Sequence, residues 1–321
     1  MIDHLSVPRK EAQNMLKKLR DLDAVDCNYK VIAEGDSVLI PLKVQQELPR
    51  IAMGYFRLKH DGRPDLRRSV KPVKFSGSYD VIGSIAIMKR GEMDDPEKLA
   101  GNIMESRKNI RSVFLDKGVK GEFRTRDLEL ICGENSTKTM YRENGLRFAV
   151  DVGSAYFSPR LATERYIVAK GTEDGERIID MFAGIGPFSI TIASMKKCEI
   201  YAFDSNPAAI NMMNENIAMN RIYGQIFPQL GDSSHMIENY RGMDRIIMNL
   251  PHSSFSFIEK AYASLRRGGK INYYEILDDA GLEKRMERFR DMGLELRSKR
   301  IVHGYSKFLN VYSMELVKTA V

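Results

Sequence analysis

The chain contains no tryptophan, and its three cysteines, Cys27, Cys132 and Cys198, stand far apart without a CxxC pair. An odd, scattered set of thiols builds neither a disulfide frame nor a zinc site, so no metal is expected, and a reducing, cytoplasmic setting fits. The sequence has no apolar run approaching the roughly 18 residues of a membrane span. Its first residues, Met1-Ile2-Asp3-His4-Leu5, lack the basic-then-apolar order of a secretion signal. No internal repeat or low-complexity tract stands out.

What is there is an ordinary globular composition, 43% hydrophobic and 29% charged over 321 residues, enough chain for two or three cores. The net charge is +7, and its excess is clustered. Residues 57–74 carry seven cations against Asp61 and Asp65, and residues 107–126 carry seven against Asp116 and Glu122. Two basic segments upstream of an α/β pattern point to a polyanionic partner, although a charge run also serves as a solvated face.

The pattern along the chain divides it into residues 1–45, a basic linker over 46–68, a middle unit over 69–150 and a larger unit over 151–321. In the first, Met15, Leu16 and Leu19 give the helical spacing of a segment from Glu11 to Arg20. Two short strands flank the Glu34-Gly35-Asp36 turn. The middle unit predicts strands at Val81–Met88, Lys120–Arg126, Thr137–Tyr141 and Leu146–Val150, with a helix near Pro96–Arg107. Asn144-Gly145 is a type I′ hairpin signal. From about residue 160 strands and helices alternate: strands near 177–182, 199–203, 225–229, 244–248 and 270–275, helices near 187–195, 207–219, 254–266 and 280–292. Such alternation predicts a parallel sheet covered on both faces. A last strand, Asn310–Val317, is expected to close the sheet edge.

The first of those strands runs into Asp180-Met181-Phe182-Ala183-Gly184-Ile185-Gly186-Pro187-Phe188, a strand–glycine turn–helix sequence. Gly184 and Gly186 allow the backbone to approach a cofactor closely. A dinucleotide fingerprint would need a third glycine where Ser189 stands, which disfavours nicotinamide or flavin. A methionine-derived cofactor has no pyrophosphate and needs acids for its ribose hydroxyls and amino groups. Asp204 stands 18 residues after Gly186, at the end of an apolar strand, where a carboxylate can accept from ribose hydroxyls. Asp180 ends the first strand, beside the cationic end of such a cofactor, and Asp232 follows the third strand, placed to accept from an adenine amino group. The candidate S-adenosyl-L-methionine set is therefore Asp180, Phe182, Ala183, Gly184, Gly186, Asp204, Ser205, Asp232 and Asn249. Each aspartate could also be a loop or cap residue.

Asn249-Leu250-Pro251 ends a later strand, and open parallel sheets bind ligands beyond such strand ends. The asparagine amide and the carbonyl preceding proline make a donor–acceptor pair suited to a nucleobase edge. Tyr156 and Phe157 offer stacking faces just before the first strand. Glu164 is a candidate base, although its residue type and place alone favour a helix cap or surface salt bridge.

Taken with Gly121-Glu122-Phe123-Arg124-Thr125-Arg126, Gly133-Glu134-Asn135 and Tyr156–Leu161, these motifs make the chain resemble the archaeal-type tRNA (guanine-N1-)-methyltransferases that act at position 37, next to the anticodon. The likeness covers nearly the whole chain. It implies an α/β fold: a class I methyltransferase Rossmann-like mixed sheet with a small N-terminal α+β domain and a middle α+β domain. It further implies a monomer whose N-terminal module touches the outer corner of tRNA while the rest holds the anticodon stem-loop. On matching residues, it implies that Arg124 binds the guanine O6, Glu164 accepts the N1 proton, Asn249 and Pro251 hold the base edge and Tyr156 lines the pocket. A sister family of wybutosine synthesis transfers an aminocarboxypropyl group from the same cofactor but usually lacks the Asn-x-Pro signature and the small first domain. Methylation of a tricyclic guanosine, and a non-catalytic RNA-binding role, are the other readings.

Overall fold

The computed structural model describes residues 2–22, 24–26, 31–43, 52, 54–60, 79–89, 95–123 and 125–319. Arg124, Cys27, most of the 46–68 linker and most of the 57–74 basic segment lie outside the described residues. The chain forms two compact units, Met1–Phe75 and Ser76–Val321.

The first unit holds β1 (Ile2–Pro8), α1 (Ala12–Asp21), β2 (Ile32–Glu34), β3 (Ser37–Leu42) and β4 (Phe56–His60). Its sheet runs β2-β3-β1-β4, antiparallel throughout. Helix α1 turns Ala12, Met15 and Leu19 into a core with Leu5, Val7 and Ile40, as its spacing predicts. Two strands escape the sequence pattern. In β1 the buried polar pair Asp3 and His4 breaks the apolar run. In β4 charged residues alternate with Phe56 and Leu58 inside the stretch read as linker, yet it pairs with β1 from Ser6↔Phe56 to Ile2↔His60.

The second unit begins with β5 (Tyr79–Ile82), β6 (Ile85–Lys89), α2 (Pro96–Ser106), β7 (Ser112–Lys120) and β8 (Thr125–Gly133), forming a sheet in that strand order. Helix α2 is the crossover that lets β6 and β7 run parallel. The strand expected over Val81–Met88 is a hairpin instead. Gly83 takes a φ of 57°, and a Cβ there would overlap the Thr139 hydroxyl. The strand expected over Lys120–Arg126 is likewise the β7–β8 turn, reversed at Gly121 with φ 68° and closed by the pair Lys120↔Thr125.

A separate hairpin follows, β9 (Lys138–Glu143) and β10 (Leu146–Asp151), turning at Asn144 and Gly145 with φ of 49° and 81°. Those positive angles are what Asn-Gly predicts. After it come α3 (Ala162–Lys170), β11 (Arg177–Asp180), α4 (Pro187–Ala193), β12 (Glu199–Asp204), α5 (Pro207–Ala218), β13 (Gln225–Leu230), α6 (Ser233–Met236), β14 (Met243–Met248), α7 (Ile258–Ser264), β15 (Leu265–Leu277), α8 (Asp279–Asp291), β16 (Leu294–Gly304) and β17 (Asn310–Lys318). Asn216 of α5 clamps the β9–β10 hairpin: its Oδ1 accepts from the Ala149 amide at 2.6 Å, and its Nδ2 donates to the Ala149 and Ile185 carbonyls. The hairpin therefore bonds to the larger sheet's helices, across the boundary read at residue 150.

The seven-stranded sheet runs β13-β12-β11-β14-β15-β17-β16. The first five strands run parallel, and β17 pairs antiparallel with both β15 and β16. The last strand does not close the edge as expected. β17 inserts between β15 and β16, and the basic stretch 294–304, too charged to read as a strand, is the edge itself. Charge suits an edge, where cations discourage pairing with another chain. Both faces are covered: Ile179, Ile246 and Tyr273 pack on one side, Ile178, Ile247 and Tyr274 on the other.

Arg165 of α3 ties the sheet's helical layer to the β9–β10 hairpin. Its guanidinium grips Glu143 with two hydrogen bonds and donates to the Ser158 carbonyl, and both charged residues are buried. Arg165→Met leaves Glu143 buried and unpaired, which costs about 3–5 kcal/mol; urea denaturation measures it, and adding Glu143→Leu should recover most of the loss.

Candidate active site

The sheet's winding reverses between β11 and β14, and strand alternation decides what faces the opening there. Asp180 pairs beside Ile247, and Asn249 follows Met248, whose partner is Tyr273. Ile247 and Tyr274 share the face covered by α3 and α4. Asp180, Asn249 and Tyr274 thus stand on one face, at the carboxyl ends of three adjacent strands.

The glycine turn and Asp204 form one hydrogen-bonded cradle. Asp204 accepts from the Gly184 amide at 2.7 Å and from the Asn206 amide at 2.9 Å, one to each oxygen. Burial still pushes its carboxyl above the usual range, and those two amides oppose the push. Both glycines have positive φ, 56° at Gly184 and 84° at Gly186. Their roles differ. A Cβ at Gly184 would stand 3.6 Å from the Tyr156 carbonyl, whereas one at Gly186 would stand 2.6 Å from Met213 Cγ. Gly186 serves close packing of α4 on α5, and Gly184 is the position with room beside it. Asn206 caps α5 as expected, and its Nδ2 also donates to the Ser154 carbonyl at 2.7 Å, tethering the Tyr156 loop over the turn. Tyr156 is exposed, with Arg126 5.9 Å from its ring centroid.

Asp180 is fully buried. Ser189 donates to its Oδ2 at 2.8 Å, while Oδ1 has no partner. Burial, with the nearby Asp204 charge, pushes its carboxyl up to about 7. Asn249 Oδ1 is the second buried oxygen in this region without a partner. Unpartnered buried oxygens are uncommon and call for a donor. A ligand carrying an ammonium and ribose hydroxyls supplies donors of that kind, so these residues fit a methionine-derived cofactor. Phe182 is half-buried against Phe257, Ala183 is buried, and Ser205 is exposed. Asp232 is exposed and caps α6 through the Ser234 amide at 2.7 Å; its bond with Ser234 holds its carboxyl below the usual range.

The Asn249–Pro251 turn is fixed by Ser254, a buried residue without a sequence signal of its own. Its hydroxyl donates to the Met248 and Leu250 carbonyls, and the Ser253 and Ser254 amides donate to Leu250 as well. The carbonyl before proline, expected to read a base edge, is already engaged by the turn. The Pro251 carbonyl accepts from the Ile276 amide at 3.0 Å. The Asn249 side-chain oxygen remains buried there without a partner.

Glu164 is buried on α3 and firmly held. Arg300 of β16 forks onto it, Nε to Oε1 and Nη2 to Oε2, each at 2.7 Å, and the Tyr274 hydroxyl donates to Oε2 at 3.3 Å. The salt-bridge reading is therefore realised, with a partner 136 residues away that no local pattern reveals. The basic segment 107–126 is partly neutralised: Lys117, Lys120 and Arg126 pair with Glu129, Asp127 and Asp116. Lys108 and Arg111 instead line a cleft of about 950 Å³ with Lys138, Thr139, Tyr141 and Arg142. Its four cations, with no lining carboxylate among the described residues, suit a phosphodiester backbone.

Fold order, glycine cradle and strand-end acids define an α/β methyltransferase-type domain. The family described as TRM5/TYW2 methyltransferase domain matches residues 139–302, that described as TYW2 N-terminal domain residues 71–137, and that described as tRNA methyltransferase 5 N-terminal domain residues 5–47. The chain is 38% identical, over 94% of each sequence, to tRNA (guanine(37)-N(1))-methyltransferase Trm5b of Pyrococcus abyssi (strain GE5 / Orsay). It is similar to the solved complex of aTrm5 and tRNALeu, with TM-score 0.76 and 32% identity over 98% of this chain and 99% of that one. It is also similar to Methanocaldococcus jannaschii Trm5 in complex with adenosine, with TM-score 0.68 and 29% identity over 99% and 100%. The chain belongs to the Trm5 family of tRNA methyltransferases.

Because the folded Asp180 holds its proton up to about pH 7, its contribution to stability is present at acid pH and is lost as pH rises through that value. Asp180→Asn should therefore stabilise the ligand-free protein more at pH 8 than at pH 5, by at most about 4 kcal/mol. Denaturation at the two pH values tests this; an equal change at both would refute it.

Proposed function

We propose that this protein transfers the methyl group of S-adenosyl-L-methionine to N1 of guanosine at position 37 of tRNA. The observation that carries the reading is the pair of unpartnered buried oxygens, Asp180 Oδ1 and Asn249 Oδ1, on one face of adjacent strand ends. One suits the cofactor's ammonium and the other the amino edge of a purine. The full-length similarity to a tRNA (guanine(37)-N(1))-methyltransferase supports the same substrate, as does likeness to a Trm5 bound to tRNA. It favours methyl transfer over the aminocarboxypropyl alternative.

In this reading Asp204 receives the ribose hydroxyls on the lone pairs its two amide bonds leave free, Asp180 receives the ammonium, and Gly184 gives the backbone room. Phe182, Ala183 and Ser205 border the same turn, and Asp232 stands at the adenine end. When bound, the cofactor supplies a methyl group made electrophilic by a sulfonium. Guanine N1 must lose a proton before it can accept that group. A carboxylate offers about four lone-pair sites. Arg300 occupies one on each Glu164 oxygen and Tyr274 a second on Oε2, leaving Oε1 to take the N1 proton. Arg124 steadies the charge that builds on O6. Asn249 and Pro251 hold the base edge, and Tyr156 covers it. The target base must leave its stack to arrive there, and the Lys108–Arg142 cleft takes RNA phosphates. The N-terminal unit provides contacts to the outer corner of tRNA.

The deciding assay uses methyl-labelled cofactor and transcripts that differ only at position 37. Label recovered in 1-methylguanosine, and only from the guanosine transcript, is expected; label in another nucleoside overturns the reading. Glu164→Gln should slow single-turnover transfer about 10²–10⁴-fold. Arg124→Ala should slow it about 10²–10³-fold with cofactor affinity unchanged; equal losses in rate and affinity would refute the O6 assignment. Deleting Met1–Phe75, the whole first unit rather than residues 1–45 (which would leave β4 without β1), should weaken tRNA binding while cofactor affinity persists. Unaltered tRNA affinity would remove the outer-corner role.

A further inference from the structure

The β16–β17 hairpin reaches the mouth of the site. β17 begins at Asn310 opposite Leu277, the carboxyl end of β15, so the Tyr305–Leu309 tip lies on the same side as Asn249. Two contacts tie the hairpin to substrate residues. Arg300 holds Glu164, and the Tyr305 ring meets the His252 ring edge-on at 5.6 Å, one residue beyond Pro251. The tip is folded back on itself: the Tyr305 and Ser306 amides both donate to the Leu309 carbonyl, at 2.8 and 3.0 Å. Apolar surface is nonetheless left open. Phe308 is 73% exposed, more than any other large apolar side chain among the described residues, and Tyr305 is 52% exposed.

We propose that Tyr305 and Phe308 form a stacking platform for an unpaired base adjacent to the nucleotide being methylated. The inference rests on the reading that the substrate is an RNA loop. Extruding a base unstacks its neighbours, which then present bare π-faces within reach of the pocket mouth. Aromatic rings accept such faces without regard to base identity. The surroundings suit an RNA strand. From Leu296 to Leu309 the chain carries Arg297, Lys299, Arg300 and Lys307; Arg297 pairs with Glu295 and Arg300 with Glu164, which leaves Lys299 and Lys307 as the cations nearest the tip. The Lys307 ammonium lies 5.2 Å from the Phe308 ring centroid, so a phosphate beside the stacked base meets a cation. A hydrogen-bonded turn presenting both rings, with Tyr305 against His252, gives a use to what would otherwise be an apolar liability on the surface.

The experiment compares wild-type protein with Phe308→Ala, Phe308→Trp and Tyr305→Ala, on intact tRNA transcripts and on transcripts abasic at position 36 or 38. Phe308→Ala should weaken RNA binding about 10-fold, Phe308→Trp should restore it, and cofactor affinity should not change. One abasic transcript should lose the same factor with wild-type protein and nothing further with Phe308→Ala. Wild-type affinity in Phe308→Ala, or losses that multiply in full when variant and abasic transcript are combined, would overturn the proposal. So would self-association of the wild type that Phe308→Ala abolishes, since a second copy would then be the occupant. The same assay reads methylation of guanosine 37 by the wild type, whose absence would count against the reaction assigned above rather than against the platform.

Discussion

The pairing of β11 with β14 is the constraint on which the site depends. Strands on one side of this junction wind away in the order β12, β13, and on the other in the order β15, β17, β16. Connections therefore leave the strand ends in opposite directions and open a crevice between them. The two residues that end these strands, Asp180 and Asn249, inherit the crevice as their surroundings, and each keeps a buried oxygen without a partner. A fold that merely sought stability would satisfy both atoms. Asp180 illustrates the cost: burial raises its carboxyl to about 7, so its charged form is unfavourable there unless a cation lies beside it.

Around that crevice, charge is used to join elements distant in sequence. Arg165 joins α3 to the β9–β10 hairpin, Arg300 joins β16 to α3, and Arg285 of α8 forks onto Glu275 of β15. At the opposite end of the sheet Arg245, wholly buried, binds Glu176, Asn272 and the Gly171 carbonyl. Guanidinium is suited to this work because its planar fork fixes orientation as well as distance. The consequence for chemistry is that Glu164 and Arg165, neighbours on one helix turn, are both immobilised, one by the edge hairpin and one by the β9–β10 hairpin. In the proposed reaction, a Glu164 held by Arg300 and Tyr274 loses little entropy on meeting its substrate.

How far the sequence speaks for itself follows from the range of the interactions involved. The βα alternation, the Asn206-Pro207 cap and the Asn144-Gly145 turn are local events, and all are legible in a window of a few residues. The glycine turn and Asp204 are legible because spacing along two adjacent strands brings them together. Arg300 is not: its partner Glu164 lies across the sheet, and the stretch around it looks like a solvated basic run until β17 is seen to insert beside β15. Ser254 is missed for a related reason, since a lone serine gains meaning only when its hydroxyl is found fastening the turn that carries Asn249. Strand β4 is hidden by charge, and β1 by two buried polar residues. The errors at Gly83 and Gly121 have one cause: a positive φ at glycine folds an apparently continuous strand into a turn.

The late insertion of β17 also explains how the edge hairpin comes to touch Glu164 and His252. Were β17 parallel to β15, the loop that precedes it would fall at the far end of the sheet. Running antiparallel to β15, β17 instead places the β16–β17 turn at the carboxyl ends of the parallel strands. One hairpin can then hold the acid on α3 from its middle and lean on the residue after Pro251 from its tip. The same antiparallel pairing that makes β16 an edge brings its Arg300 to Glu164, and a basic edge that discourages other strands also suits a polyanion.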